Sequence, residues 1–142
     1  MLGAGGEEPA ALVKWHLVVA YDGAAYRGWQ IQPAVPTVQG TLFRNLCHLF
    51  PPQPQRMMGT SRTDAGVHAR DQHLTFAGPA PAGLHPERIA LILNRRLPGD
   101  IRVLRSERCA ADFDARRSAV AKAYVYTLHR RPLCPPFESR YV

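Results

Sequence analysis

The sequence predicts an α+β fold in which strands and helices follow one another as β-α-β-β-α-β. Three observations carry that expectation. Short runs alternate apolar and polar residues, two longer runs repeat apolar residues at helical spacing, and 142 residues suit one domain or one domain plus the start of a second. Residues 1–11 read as a flexible tail. From Val13 to Ala20, Val13, Trp15, Leu17 and Val19 share one face and Lys14, His16, Val18 and Ala20 the other, which is a strand pattern. Tyr21-Asp22-Gly23 supplies turn chemistry, and a loop with Gly28, Pro33 and Pro36 follows. Thr37 is placed to cap a helix carrying Val38, Leu42, Leu46 and Leu49, with Phe43 and Phe50 beside them, and Pro51-Pro52 stops it.

Gln55 to Thr60 reads as a second strand that runs into a polar loop from Ser61 to His68. Gln72 to Ala77 alternates again, with Leu74 and Phe76 on one side. Pro86 opens a second helix with Ile89, Ile92 and Leu93, which Leu97-Pro98-Gly99 closes. Ile101 to Leu104 reads as a short strand, and Ala121 to Leu128 as another, with Lys122, Tyr124, Tyr126 and Leu128 on one face. The order is that of the ferredoxin-like split βαβ, in which both helices cover one face of an antiparallel sheet. Its other face must be left free or covered by something else. Many RNA-binding domains share this layout, but their aromatic signature on the inner strands is not evident here, so the fold settles no function.

Composition narrows the classes. Hydrophobic residues make up 46% and charged residues 20%, ordinary globular usage that excludes disordered and fibrous classes. No run approaches the roughly 18 apolar residues that span a bilayer. The start, with Glu7, Glu8 and Pro9, lacks a basic region before an apolar core and argues against a secretory or transit segment, so a soluble, cytoplasmic chain is expected. Cys47, Cys109 and Cys134 are odd in number and lack CxxC spacing, which speaks against a disulfide framework or a zinc site. Cys47, in the first helical run, reads as a core residue.

The net charge is +7, only Lys14 and Lys122 are lysines, and the basic excess gathers from Arg95 onward. Arginine pairs with phosphate through two hydrogen bonds and stacks on bases, so a polyanionic partner, nucleic acid above all, is one reading. A genome that favours arginine codons, with a merely solvated surface, is the other.

The most unusual stretch is Ser61-Arg62-Thr63-Asp64-Ala65-Gly66-Val67-His68-Ala69. Arg62 is placed to hold Asp64 ionised and oriented, and Gly66 lets the backbone fold tightly beneath a flat substrate. On its own the segment is better read as a turn with an Asx-type hydrogen bond and a local ion pair. A metal cluster of His68, His73, Asp64 and Asp71 is a further reading, disfavoured because no familiar ligand spacing appears.

Four ordered motifs add context. Tyr21-Asp22-Gly23-Ala24-Ala25-Tyr26-Arg27-Gly28-Trp29-Gln30-Ile31-Gln32 resembles the YDGxxxxGWQxQ opening of the tRNA pseudouridine synthase TruA family. Ser61 to Ala69 is similar to that family's [GS]RTDAGVHA segment, Asn94 to Ile101 to its NxxLPxDI stretch, and Phe113 to Ala119 with Lys122 to Tyr126 to its FHARxSA…YxY segment. The resemblance implies an RNA isomerase that detaches uracil from ribose, turns it and rejoins it through C5, acting at positions 38, 39 and 40 of the tRNA anticodon stem-loop. It implies Asp64 as catalytic nucleophile, Arg62 as the active-site arginine and Tyr124 as the tyrosine that stacks on the uracil. It implies no cofactor and no metal, tRNA as partner rather than DNA or a membrane, and a homodimer in the full-length family. Attack at C1′, attack at C6 and a glycal route remain open alternatives. Trp15, Trp29 and Tyr126 read as packing residues.

Two substitutions depart from the family pattern: Ser61 stands for the usual glycine and Asp114 for the usual histidine. The resemblance covers nearly all of this chain but only about half of the family fold. On that basis residues 12–110 are expected to be the synthase N-terminal domain and 111–142 the start of a second, truncated catalytic half. A non-catalytic tRNA-binding module or an inactive fragment is the competing expectation.

Overall fold

The computed structural model describes residues 11–142. The tail expected at 1–11 therefore lies almost wholly outside the described residues. Strand β1 (Leu12–Tyr21) leads through a short 3-10 turn (Gly23–Ala25) and a long loop to helix α1 (Val38–Leu49). Strands β2 (Gln55–Gly59) and β3 (Ala69–Pro79), helix α2 (Pro86–Arg96) and strand β4 (Ile101–Cys109) complete the fold. The sheet order is β2-β3-β1-β4, and every neighbouring pair is antiparallel. This is the split βαβ arrangement that the sequence predicts.

The helices form where their signals stand. Thr37 has extended backbone and accepts a hydrogen bond from the Gly40 N–H at 3.1 Å, satisfying one of the donors that a helix start leaves free. Val38, Leu42 and Leu46 of α1 and Ile89 and Leu93 of α2 are buried against Trp15, Leu17, Val19, Leu74 and Phe76 on one face of the sheet. Trp15, Phe50 and Phe76 pack as an aromatic group with ring centroids 5.0–6.5 Å apart, in the tilted and offset geometries that ring quadrupoles favour. Cys47, expected in the core, is only half-buried, because it lies beside rather than on the α1 stripe that faces the sheet.

Two departures from expectation are instructive. Strand β4 runs five residues beyond Leu104, through a stretch too polar to read as a strand. On its helix side, where an apolar residue is expected, stands the buried Ser106. Its hydroxyl donates to the Pro86 carbonyl at 2.6 Å and accepts from the Ala90 N–H at 3.0 Å, so it is inserted into the first i→i+4 link of α2. The second departure is Ala121–Leu128, which forms no strand: 63% of Tyr124 and 87% of Tyr126 are exposed. A strand needs an edge to pair with, and this segment joins neither β2 nor β4.

The sheet face opposite the helices is partly covered. His16, buried in β1, contacts Glu107 at 2.7 Å through Nδ1 and His73 at 2.8 Å through Nε2, and Phe113 tilts against its ring at 5.2 Å. Lys14 reaches over to the Ala111 carbonyl. Residues 110–118 thus close part of the face whose covering the sequence left open.

Ser106→Ala should lower the free energy of unfolding by about 1–3 kcal/mol, the cost of leaving a buried donor and acceptor unpaired. Urea denaturation followed by circular dichroism measures it, and an unchanged midpoint would remove the hydroxyl's proposed role in α2.

Candidate active site

The residues singled out in the sequence gather where two loops lie against each other at one end of the sheet. The first loop, 22–36, leaves β1, and the second, 60–68, joins β2 to β3. Gly28 has φ +87°, and a Cβ there would stand 2.7 Å from the Thr63 carbonyl oxygen. Gly23 is closer still: a Cβ would run into the Val67 carbonyl. The sequence Tyr-Asp-Gly…Gly-Trp therefore serves backbone-to-backbone contact. Trp29 N–H donates to the Thr63 carbonyl at 3.0 Å, Gly66 N–H to the Tyr26 carbonyl at 3.2 Å, and the Tyr21 and Thr63 hydroxyls share a bond of 2.8 Å.

Behind the loops, the buried Gln72 binds Ser61, its amide donating to the Ser61 carbonyl at 2.5 Å while the Ser61 hydroxyl donates to its side-chain oxygen at 3.3 Å. Serine is no strain at this position, for its φ is not positive, and it gains a partner. Tyr26 donates its hydroxyl to Asp100 at 2.7 Å, which ties the first loop to the corner before β4. Burial, reinforced by the hydrogen bond and charge of Asp100, raises the Tyr26 phenol well above its ordinary range, and burial raises Tyr21 as well.

Asp64 to Val67 make a tight turn closed by the Val67 N–H on the Asp64 carbonyl at 3.1 Å. Gly66 takes the third position of that turn with φ +81°, which favours glycine. The Asp64 side chain projects from the turn, exposed, and among the described residues it has no hydrogen-bond or ion-pair partner. It lines an open depression of about 460 Å³ with Arg62, Arg27, Gln30, Gln32 and Val35. Arg62 and Asp64 are thus brought together, but the ion pair expected between them does not form. Both side chains stay solvated, and an exposed pair gains too little to hold two such groups in one geometry.

Tyr124 is not brought to the depression; the nearest tie from its segment is Lys122, whose Nζ donates to the Thr60 carbonyl at 3.1 Å. Arg27, Gln30 and Gln32 line the site although the sequence reading assigned them no role; the signal was available in their place beside Gly28 and Trp29.

Asp22 and His68 meet beside the Asp64 turn, a pairing the sequence does not signal. Asp22 accepts from the Ala24 N–H at 3.0 Å and from the Tyr141 hydroxyl at 3.1 Å, and it pairs with the Arg140 guanidinium at 3.1 Å. The Ala24 N–H, then Tyr141 and Arg140, hold its carboxyl below the ordinary carboxylate range. His68 Nδ1 lies 2.9 Å from the Gly23 N–H and 3.1 Å from Asp22. The two contacts exclude one another as hydrogen bonds, since the neutral nitrogen accepts from Gly23 and only a protonated one donates to Asp22.

The suggested grouping of His68, His73, Asp64 and Asp71 does not assemble: His73 pairs with Asp71 at 3.3 Å, while His68 turns to Asp22 and Gly23. Among the described residues, His129, Cys134 and Glu138 bring their ligand atoms within 4.8 Å of one another. His129 there contacts the Leu133 carbonyl through Nε2 and faces Glu138 at 3.5 Å, an ion-pair arrangement with a half-buried thiol beside it. No helix among the described residues is long and apolar enough to cross a membrane.

Fold and loop together define a class: a split βαβ domain that presents one unpaired carboxylate on a glycine turn beside arginine. Comparison with known proteins gives its relatives. The chain is 41% identical over 126 residues to tRNA pseudouridine synthase A of Solibacter usitatus, covering 89% of this chain and 51% of that protein. It is 37% identical over 130 residues to the protein of that name from Lacticaseibacillus casei, covering 92% and 52%. The match to the one from Methylacidiphilum infernorum is 39% over 127 residues, covering 89% and 49%. No family profile matches the chain. Over about nine-tenths of its length the chain is similar to proteins of that name, and it spans about half the length of the curated relatives it matches.

Two measurements check this loop geometry. Gly28→Ala should cost about 1–3 kcal/mol, because it strains the backbone and pushes against Thr63, and a thermal melt reads the loss. The raised phenols make stability complete below the ordinary tyrosine pKa of about 10 and declining as pH rises above it. Unfolding free energies taken from pH 8 upward should therefore fall beyond about pH 10, and less steeply in Tyr26→Phe; equal slopes would contradict the burial of that hydroxyl.

Proposed function

We propose that this chain is the nucleophile-bearing, N-terminal half of a tRNA pseudouridine synthase, with Asp64 as the covalent catalyst. The single observation that carries the proposal is the Asp64 carboxylate. It stands on a backbone-pinned turn, open to solvent and without a partner, in a depression lined by Arg62 and Arg27. The names of the relatives supply the reaction. In the isomerisation the N1–C1′ bond breaks, the uracil turns, a C5–C1′ bond forms, and the proton lost from C5 is balanced by one gained at N1. The net change involves no redox step and no phosphoryl transfer, so a carboxylate suffices and no cofactor is called for. Attack at C1′, addition at C6 and elimination through a glycal all use the same carboxylate.

Arg62 supplies positive charge next to Asp64, suited to a phosphate or to the space vacated by an extruded nucleotide. Tyr124 is assigned to stacking on the uracil, which requires its segment to move over the depression. A partner edge for Ala121–Leu128 would do this, and residues 111–142 are read as the start of the second half that provides one. Extruding a base costs a few kcal/mol, which backbone contacts from the basic C-terminal third would offset. The substrate is proposed to be the anticodon stem-loop at positions 38, 39 and 40, the setting the cytoplasm, and the complete assembly a homodimer.

A second reading has its own support. An open carboxylate with Tyr124 away from it lacks the water exclusion that gives preorganised groups their strength, so the chain by itself suits a tRNA-binding module without turnover.

Incubation with tRNA transcripts, followed by carbodiimide mapping, should reveal pseudouridine in the anticodon stem-loop. Asp64→Asn should reduce its formation by about 10³-fold or more while leaving tRNA affinity nearly unchanged. Conversion that survives this substitution would remove Asp64 from the role. Salt-dependent binding with no product in the unsubstituted chain would select the second reading.

A further inference from the structure

We propose that Asp22 is a positioning residue for Asp64, and that Arg140 and Tyr141 are the clamp that holds it. The inference rests on the reading of Asp64 as nucleophile and concerns what keeps its turn seated. The two ends of that turn are held by different means. At its start, Thr63 is fixed from inside the domain by the buried Trp29 N–H at 3.0 Å and the buried Tyr21 hydroxyl at 2.8 Å. At its end, Val67 and His68 lie against Gly23 at the rim, where the His68 and Asp22 side chains are 36% and 20% exposed. Water competes there, and a single weak contact would not keep the rim closed.

Asp22 answers this with both of its oxygens. Oδ1 accepts from the Ala24 N–H at 3.0 Å, which holds the turn that carries Gly23, and it faces His68 Nδ1 at 3.1 Å. Oδ2 accepts from the Tyr141 hydroxyl and forms an ion pair with the Arg140 guanidinium, each at 3.1 Å. The Tyr141 ring lies 5.3 Å from the His68 ring, tilted by 56°, so the same residue that bonds Asp22 also covers the histidine. With His68 neutral, its Nδ1 accepts the Gly23 N–H at 2.9 Å, and the Gly66 N–H reaches the Tyr26 carbonyl at 3.2 Å. Residues from three distant parts of the sequence thus converge on the post at the end of the Asp64 turn. None of Asp22, Arg140 and Tyr141 lines the depression, so they act through the turn and not on the substrate.

Amide hydrogen exchange by NMR on the 142-residue chain, together with steady-state pseudouridine formation on tRNA, tests the proposal. In Asp22→Asn, exchange at the Gly66 and Val67 amides should speed up roughly tenfold, while the Leu17 amide in the sheet centre is unchanged. Turnover should fall by about the same factor with KM for tRNA unaltered. Tyr141→Phe, which removes one hydroxyl and leaves the packing, should move both quantities in the same direction by less. Arg140→Lys should preserve them where Arg140→Gln does not. Unchanged exchange at Gly66 and Val67 in Asp22→Asn and Tyr141→Phe would overturn the clamp. Faster exchange with unchanged turnover, or a rise in KM alone, would overturn the positioning role. Should the unsubstituted chain form no pseudouridine, the reading of Asp64 fails by itself, and the exchange data still decide whether Asp22 seats the turn.

Discussion

Where Gly23 and Gly28 meet the backbone of residues 63–67 there is no room for a Cβ, and the candidate site depends on that contact. Two loops that leave the sheet from different strands are brought within hydrogen-bond distance along their main chains. Backbone-to-backbone seating is stiffer than side-chain contact, because it has no rotamers to lose and its donors and acceptors are fixed in direction. The turn that carries Asp64 is therefore placed by the β1 end and the Trp29 region, not by anything Asp64 itself does. The bonds from Tyr26 to Asp100 and from the Asp22 N–H to the Asp100 carbonyl extend the frame to the corner between α2 and β4.

Two carboxylates stand close to this frame and are treated in opposite ways. Asp22 receives a backbone N–H, a hydroxyl and a guanidinium, and its charge is spent on holding structure. Asp64 receives nothing from the described residues, and its lone pairs stay open to solvent in the depression. The same residue type thus serves support in one loop and stands free in the other. What decides between them is how many donors and positive charges the surrounding residues aim at each. The open setting of Asp64 sets the demand that a substrate or a further protein surface must meet, since electrostatic preorganisation is strong only where water is excluded.

Much of this was legible in the sequence. Apolar residues at helical spacing, Thr37 as a cap and the alternation around Trp15 and Leu74 marked both helices and the two central strands, because those signals are local and nothing distant overrides them. Strand β4 beyond Leu104 was not legible: Arg105 to Cys109 pair with Lys14 to Val18 of β1 whatever their polarity, and Ser106 is buried only because α2 offers it a carbonyl and an amide. The alternation at Ala121–Leu128 misled for the converse reason, since a pattern suited to a strand makes one only beside an available edge. His16 and His73 meet across paired strands, a contact that depends on register and leaves no mark in either local sequence.

By itself the sequence determined the order of elements, the face each helix buries, and the segment that forms the candidate site, Ser61 to Ala69, along with the glycines that seat it. These follow from short-range periodicity, from capping, and from the steric demands of single residues. Only the tertiary structure decided that Arg62 leaves Asp64 unpaired, that Asp22 gathers Arg140 and Tyr141 from the far end of the chain, and that Tyr124 stands outside the depression. Those are questions of which groups come within a few ångströms of one another and how much water lies between them. Such distances are set by the packing of whole elements and cannot be read from any one of them.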